Sequence, residues 1–246
     1  MRIIGSYLSP YVRKVLACLE LKGLAYEIDP ITPFMGDDRF TALSPLRRVP
    51  VLIDDRVTLA DSSVICQYLE DRYPEPALYP ADVADRARAR WLEEYADTRM
   101  GDVFIWGLFN HAVIAPAVWG AQRDLAAIQR IVAEDVPPVL DYLEAQLPGE
   151  GFLFGTLGLA DISIAVFLRN AAFARFHVDV TRWPVTARFV DRVLAQDCLA
   201  KLQPFEALML RTPISEHRAA LAAAGAPVSA ETVGGSTPRR GVLRLP

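Results

Sequence analysis

Three observations predict an α/β unit followed by an all-α helical bundle. Up to about residue 78, short aliphatic runs alternate with one helical stretch and with Gly/Pro punctuation. Beyond about residue 84, apolar residues recur at helical spacing almost throughout. Between the two, Tyr73-Pro74-Glu75-Pro76 through Pro80 reads as a proline-rich linker. A chain of 246 residues is long enough to give each half its own core.

In the first half, Arg2-Ile3-Ile4 is a strand ended by Gly5. Ser9-Pro10 then opens a helix, serine at the N-cap and proline at the first helical position. Val12, Val15, Leu16 and Leu19 fall on one helical face, and Lys22-Gly23 stops the run. Ala25-Tyr26-Glu27-Ile28 is a second strand, so the unit is βαβ, which favours parallel pairing. Ile31 to Leu43, with Pro33 and Gly36, is a loop holding a short helix. Val51-Leu52-Ile53 and Val57-Thr58-Leu59 flank the turn Asp54-Asp55-Arg56 as a hairpin. A helix over 62–73 buries Val64, Ile65, Tyr68 and Leu69.

In the second half, Ala84 to about His111 is a long amphipathic helix carrying Ala87, Trp91, Tyr95, Val103 and Phe104, with a break expected at Gly101 or Gly107. Leu125 to Leu147 is another, kinked or split by Pro137-Pro138. Leu159 to Phe176 is apolar on nearly every face, as a central bundle helix must be. Trp183-Pro184 begins a further helix, and a short one covers about 199–208. Ser215 to Ala224 is an alanine-rich helical segment, and Gly225 to Pro246 reads as a flexible tail.

Composition narrows the function. Hydrophobic residues make up 52% and charged residues 23%, and the formal charge is −4, without the clustered basic residues that a nucleic-acid partner demands. No uninterrupted apolar run reaches the roughly 18 residues of a spanning helix, and no signal-peptide core follows Met1, so a cytoplasmic protein without a membrane partner is expected. Cys18, Cys66 and Cys198 form no Cys-x-x-Cys pair. His111, His177 and His217 are too scattered for ligation, so no metal is expected.

The stretch with the most chemistry is Ser44-Pro45-Leu46-Arg47-Arg48-Val49-Pro50-Val51-Leu52-Ile53, with Asp61-Ser62 downstream. Pro50 opens a strand, and an X–Pro bond in a buried turn is where a cis peptide is found. Such a bend leaves the Val49 N–H and C=O unpaired, an edge suited to a short peptide. Asp61-Ser62 caps the next helix, where free N–H groups take a carboxylate and the Asp61 carboxylate takes a cation. Together these describe a site for a small zwitterionic peptide.

Arg48-Val49-Pro50-Val51-Leu52 and Leu59-Ala60-Asp61-Ser62-Ser63-Val64-Ile65 resemble the glutathione transferase family, in which a Val-Pro-Val-Leu segment precedes a hairpin and a Glu/Asp-Ser helix start. Gly155-Thr156-Leu157-Gly158-Leu159-Ala160-Asp161-Ile162 is similar to that family's capping-box segment, with Gly158 in place of the usual hydroxyl residue. The resemblance spans about residues 1–210. It implies a thioredoxin-like glutathione-binding domain at about 1–78, a helical domain at about 84–210, and an extension over 211–246 for which it implies nothing. It implies glutathione as co-substrate, a hydrophobic electrophile and a homodimer.

The resemblance also assigns residues. Arg48, Val49, Pro50, Asp61 and Ser62 bind glutathione, Val49 through its backbone. Arg47 departs from the family's glycine and either extends the anion site or points into water. Ser9 stands where the family places a catalytic serine or cysteine. A hydroxyl donating to sulfur at a helix N-terminus favours the thiolate, although Ser-Pro is equally an ordinary cap. Tyr7 is the runner-up, since other branches use a tyrosine after the first strand, and Ser6 ranks behind it. Trp106, Phe109, Asn110 and His111 border the family's electrophile pocket. The isomerase branch's Ser-Ser-Cys cluster followed by arginine is not matched by Ser6-Tyr7-Leu8-Ser9, so conjugation leads, with isomerisation, dehalogenation or a non-catalytic binding module as alternatives.

Overall fold

The computed structural model describes residues 1–241; residues 242–246, the end of the stretch expected to form a loose tail, lie outside the described residues. The chain divides into two compact units, Met1–Pro76 with Ala200–Pro246, and Ala77–Leu199.

In the first unit β1 (Arg2–Ile4), α1 (Pro10–Leu21) and β2 (Glu27–Asp29) form the expected crossover, with β1 and β2 parallel. A 3₁₀ turn at Pro33–Met35 and α2 (Asp38–Leu43) occupy the following loop. β3 (Val51–Ile53) runs antiparallel to β1, and β4 (Thr58–Leu59) pairs with β3, giving the order β2-β1-β3-β4. Val12, Val15, Leu16 and Leu19 of α1 have no exposed surface, each contributing about 1.5–3 kcal/mol of burial against the opposing chain entropy. Gly23, at φ +64°, ends α1 in the left-handed turn only glycine takes without penalty. α3 (Ser62–Arg72) packs on α1 through Ile65, Cys66 and Leu69. Val64, expected inside, is 50% exposed, because one residue of difference rotates a side chain about 100° around a helix.

The second unit is helical. α4 (Val83–Tyr95) passes through wider, π-type turns over Ala96–Ile114 into α5 (Ala115–Trp119) without the break expected at Gly101 or Gly107. Gly107 serves close packing instead: a Cβ there would stand 3.3 Å from Ile131 Cδ1. The inward stripe runs through Ala89 and Leu92 of α4 and on through Ala96 and Met100; Val103 and Phe104 are buried as expected, whereas Trp91 is 56% exposed with its indole donating to the Tyr142 hydroxyl. The Val83–Trp119 helix is long and apolar enough, by length and composition, to cross a membrane, which the run-length reading did not register. α6 (Leu125–Arg130) and α7 (Val136–Gln146) are joined by a wide turn at Ile131–Asp135, so the disruption expected from Pro137-Pro138 is taken up just before them. α8 (Leu159–Phe173) lies along the 96–114 stretch and is buried on most faces. α9 (Pro184–Leu194) and α10 (Asp197–Ala200) follow.

Gly158, the departure from the family's capping residue, has a local cause. A Cβ there would lie 2.9 Å from the Leu78 carbonyl oxygen, the acceptor of the Leu159 N–H. No side chain fits. Asp161 keeps its half of the cap, accepting from the Gly158 and Leu153 N–H groups at 2.9 Å each.

The chain then returns to the first unit, where the structure differs most from expectation. α11 (Gln203–Arg211), read from sequence as part of the helical domain, packs against the start of α1 through a buried Arg13–Glu206 ion pair at 3.1 Å and a Tyr7–Phe205 ring contact at 5.1 Å. α12 (His217–Ala223) follows a 3₁₀ turn at Ile214–Glu216, as the alanine-rich stretch foretold. Within the segment expected to be a flexible tail, residues 227–229 are instead paired: Ile28 donates to Pro227 O at 2.8 Å and accepts from Ser229 N at 2.9 Å, alongside the edge of β2. An open strand edge carries unpaired donors and acceptors, and this pairing satisfies them. Gly, Pro and Ser content hid it, because backbone pairing needs no apolar pattern.

Candidate active site

The Val49–Pro50 peptide is cis, as expected, and stands just ahead of β3. Neither the N–H nor the C=O of Val49 makes a hydrogen bond among the described residues, so a peptide-like edge is available beside the sheet. Two neighbours hold it. The buried Ser44 hydroxyl accepts the Arg48 N–H at 3.0 Å and donates to the Arg48 carbonyl at 2.9 Å. Arg47, with φ +52°, is turned inward: its guanidinium donates to Gly36 O at 2.8 Å, to Pro33 O at 3.2 Å, and to the Thr41 hydroxyl. The sequence reading offered Arg47 as an anion ligand or a solvated charge. It is neither, being spent on buried carbonyls. Arg48 is exposed, with its guanidinium free of protein partners among the described residues.

Gly5 brings this edge close to α1. A Cβ there would stand 2.4 Å from Val12 Cγ2 and 3.3 Å from Val49 Cβ, so only glycine permits the approach. At the start of α3, Asp61 Oδ1 accepts from Ser63 N at 3.0 Å and Val64 N at 3.1 Å. Asp61 Oδ2 has no partner among the described residues and remains available for a cation. The Ser62 N–H and hydroxyl are likewise uncommitted there. Lys14, buried on α1, donates to the Ser63 hydroxyl at 3.1 Å and ties the two helix starts together.

Three hydroxyls follow β1. Ser6 is buried, accepting from Leu8 N at 3.1 Å and facing the Met209 sulfur at 3.8 Å. Tyr7 has no exposed surface; its hydroxyl is buried near Tyr26 and Glu20, and burial pushes the phenol up, away from ionisation. Ser9 is half-buried at the N-cap of α1, where Oγ accepts only a long 3.4 Å bond from Val12 N. Its proton has no acceptor among the described residues.

Ser44 and Lys14 escaped the sequence reading. Ser44 left a signal, a serine four residues before Arg48 at the spacing of local side-chain-to-backbone bonds; Lys14 left none, since a buried lysine looks like any charge on a helix. Elsewhere, Cys18 and Cys66 are buried with their sulfurs 3.7 Å apart, and His217 spends Nε2 on the Met209 and Thr212 carbonyls. Phe109 is a core residue against Phe173, while Trp106, Asn110 and His111 are half-buried. Among the described residues, no group of three His, Cys, Asp or Glu side chains is placed to hold a metal ion.

A four-stranded βαβ-plus-hairpin unit with a cis-proline edge, followed by a helical unit, defines a thioredoxin-like domain joined to an all-helical one. The family model "Glutathione S-transferase, N-terminal domain" matches residues 3–77. Glutathione S-transferase Z1 of Arabidopsis thaliana is 37% identical over 216 residues, covering 83% of this chain and 93% of that protein. Maleylacetoacetate isomerase of Pseudomonas aeruginosa is 31% identical over 212 residues, 83% of this chain and 96% of its own. The crystal structure of a glutathione S-transferase from Rhodospirillum rubrum F11 matches with a TM-score of 0.75 at 28% identity, covering 82% of this chain and 90% of that one. The chain belongs to the glutathione S-transferase family.

Proposed function

We propose that the protein binds glutathione on the Val49 edge and the α3 start, and that the Ser9 hydroxyl stabilises its thiolate for attack on a hydrophobic electrophile. The observation that carries this reading is that Ser9 alone, of the three hydroxyls after β1, keeps both a partly exposed position and an uncommitted proton. The peptide backbone of glutathione lies antiparallel to Val49. Its γ-glutamyl carboxylate meets the free N–H groups at the start of α3 and its ammonium meets Asp61. Arg48 offers the glycyl carboxylate a cation.

A free thiol with a pKa near ~8.5 is mostly protonated at neutral pH. A hydrogen bond donated to sulfur strengthens as sulfur becomes an anion, and the α1 N-terminus adds its positive field. Each unit of lowering needs about 1.36 kcal/mol of such differential stabilisation. The thiolate then attacks the electrophile, the new S–C bond replacing a leaving group or adding across a polarised double bond. Calorimetric titration with glutathione, paired with turnover of a generic aryl halide, tests the reading. Binding with turnover supports it, and binding without turnover makes the chain a binding module.

A second reading is favoured by the likeness to a maleylacetoacetate isomerase. There the same Ser9-stabilised thiolate adds to a conjugated double bond and leaves again after rotation. Turnover of maleylacetoacetate without consumption of glutathione selects this reading over conjugation.

A further inference from the structure

We infer that the C-terminal segment over 218–239 positions the glutathione edge, with Arg218 and Asp29 as the positioning residues; this rests on the glutathione reading of the Val49 site. Asp29, at the end of β2, is 1% exposed, and both of its oxygens are spent on this segment. Oδ1 accepts from Arg218 Nη1 at 2.9 Å, and Oδ2 accepts from the Val233 N–H at 2.7 Å. The same guanidinium reaches the Ser229 and Ala230 carbonyls, so one arginine gathers α12, the paired segment at 227–229 and the end of β2.

From Val233 the segment runs onto the loop ahead of α2. Asp37 N donates to Val233 O at 2.9 Å, Gly235 N to Met35 O at 2.6 Å, and Arg239 N to Phe34 O at 2.7 Å. Arg239 also pairs with Asp38. Gly36 opposes Gly234, where a Cβ on Gly234 would stand 3.0 Å from Ile31 Cγ2, so the two backbones meet without side chains between them. This loop is the one Arg47 holds, through the Pro33 and Gly36 carbonyls. Arg47 is covalently next to Arg48 and Val49. The segment thus holds the loop, the loop holds Arg47, and Arg47 sets the peptide that meets glutathione. None of these residues touches the thiol, so the role concerns affinity for glutathione and leaves the chemical step alone.

The test is Arg218→Ala in the full-length protein, with Arg218→Lys as the conservative control. Glutathione KM and Kd should rise roughly three- to tenfold with kcat within twofold, Arg218→Lys should recover part of the loss, and amide exchange should speed up at 33–38 and at Arg48 and Val49. Unchanged KM and Kd in folded Arg218→Ala protein overturn the proposal, whether or not exchange at 33–38 changes. A fall in kcat equal to the rise in KM, with no rescue by lysine, overturns it too, as general damage. If the wild-type protein binds no glutathione, the site reading fails on its own; faster exchange at Arg48 and Val49 then still supports the coupling, and unchanged exchange overturns it. Should Arg218→Ala fail to fold, Asp29→Asn, which keeps the shape and removes the charge, carries the same measurements.

Discussion

Ser44 and Arg48 exchange two hydrogen bonds through one hydroxyl, which accepts the Arg48 N–H at 3.0 Å and donates to the Arg48 carbonyl at 2.9 Å. With Ser44 fully buried, this closes the turn that presents Val49. Ser44→Ala removes both bonds to the part-buried Arg48 N–H and C=O, costing about 1–2 kcal/mol of stability. Chemical denaturation should show that loss, and calorimetry a weaker glutathione affinity. Unchanged affinity would mean that the turn holds its shape without the hydroxyl.

Asp61 separates a folding role from a binding one. Its Oδ1 caps α3, and Asp61→Ala should cost about 1 kcal/mol of stability. Loss of the counter-charge for the ligand's ammonium should cost on the order of 1.5–3 kcal/mol of binding, roughly ten- to hundredfold in Kd. Titration calorimetry on the folded variant measures it. An unaltered Kd would remove Asp61 from the site.

Gly158→Ser restores the hydroxyl usual at this cap in the family. A serine cap is worth a few tenths of a kcal/mol over glycine. Against that, its Cβ would meet the Leu78 carbonyl oxygen at 2.9 Å, and overpacking of this kind costs about 1–3 kcal/mol. The clash should win, and the thermal midpoint should fall. A rise would show that the Leu78 backbone yields freely.

Acid should find one weak point at the hairpin. Burial alone would raise the Asp54 pKa, but the Tyr68 hydroxyl at 2.6 Å, the Arg56 and Val57 N–H groups and Arg72 together hold it at about 2, below its ordinary 3.8. The folded protein therefore binds fewer protons than the unfolded chain between these values. The stabilisation is complete above pH ~4 and is lost as pH falls from ~4 through ~2. Its size is on the order of 1–2 kcal/mol. Urea midpoints across that range should fall more steeply for the wild-type protein than for Asp54→Asn. Parallel slopes would place the acid sensitivity elsewhere.

The sequence carried the parts of the fold that rest on local rules. Ser9-Pro10, Val12 to Leu19 and Gly23 marked α1 by cap, periodicity and stop. Val49-Pro50 and Asp61-Ser62 marked the cis-proline bend and the helix start, since proline before a strand and a capping aspartate are spacing signals. What the sequence did not show depends on non-local partners. Arg47 reads as an anion ligand until Pro33 and Gly36 are seen to claim it. Sequence ranks Ser9 ahead of Tyr7 but leaves the tyrosine as runner-up, and only the fold shows Phe205 packed against its ring. The stretch after Gly225 has the composition of a tail, and only the open edge of β2 gives it a partner.

The account turns on which hydroxyl serves the thiol, and thiolate absorbance of enzyme-bound glutathione, titrated with pH, reads it directly. In the wild-type protein the bound thiol should ionise below the free value of ~8.5. Ser9→Ala, once shown folded despite losing a cap worth about 1 kcal/mol, should move that titration up and lower kcat while Kd changes little. Tyr7→Phe, which deletes a hydroxyl already buried, should leave the titration where it was. A shift in Tyr7→Phe with none in Ser9→Ala would contradict the account and assign the role to Tyr7.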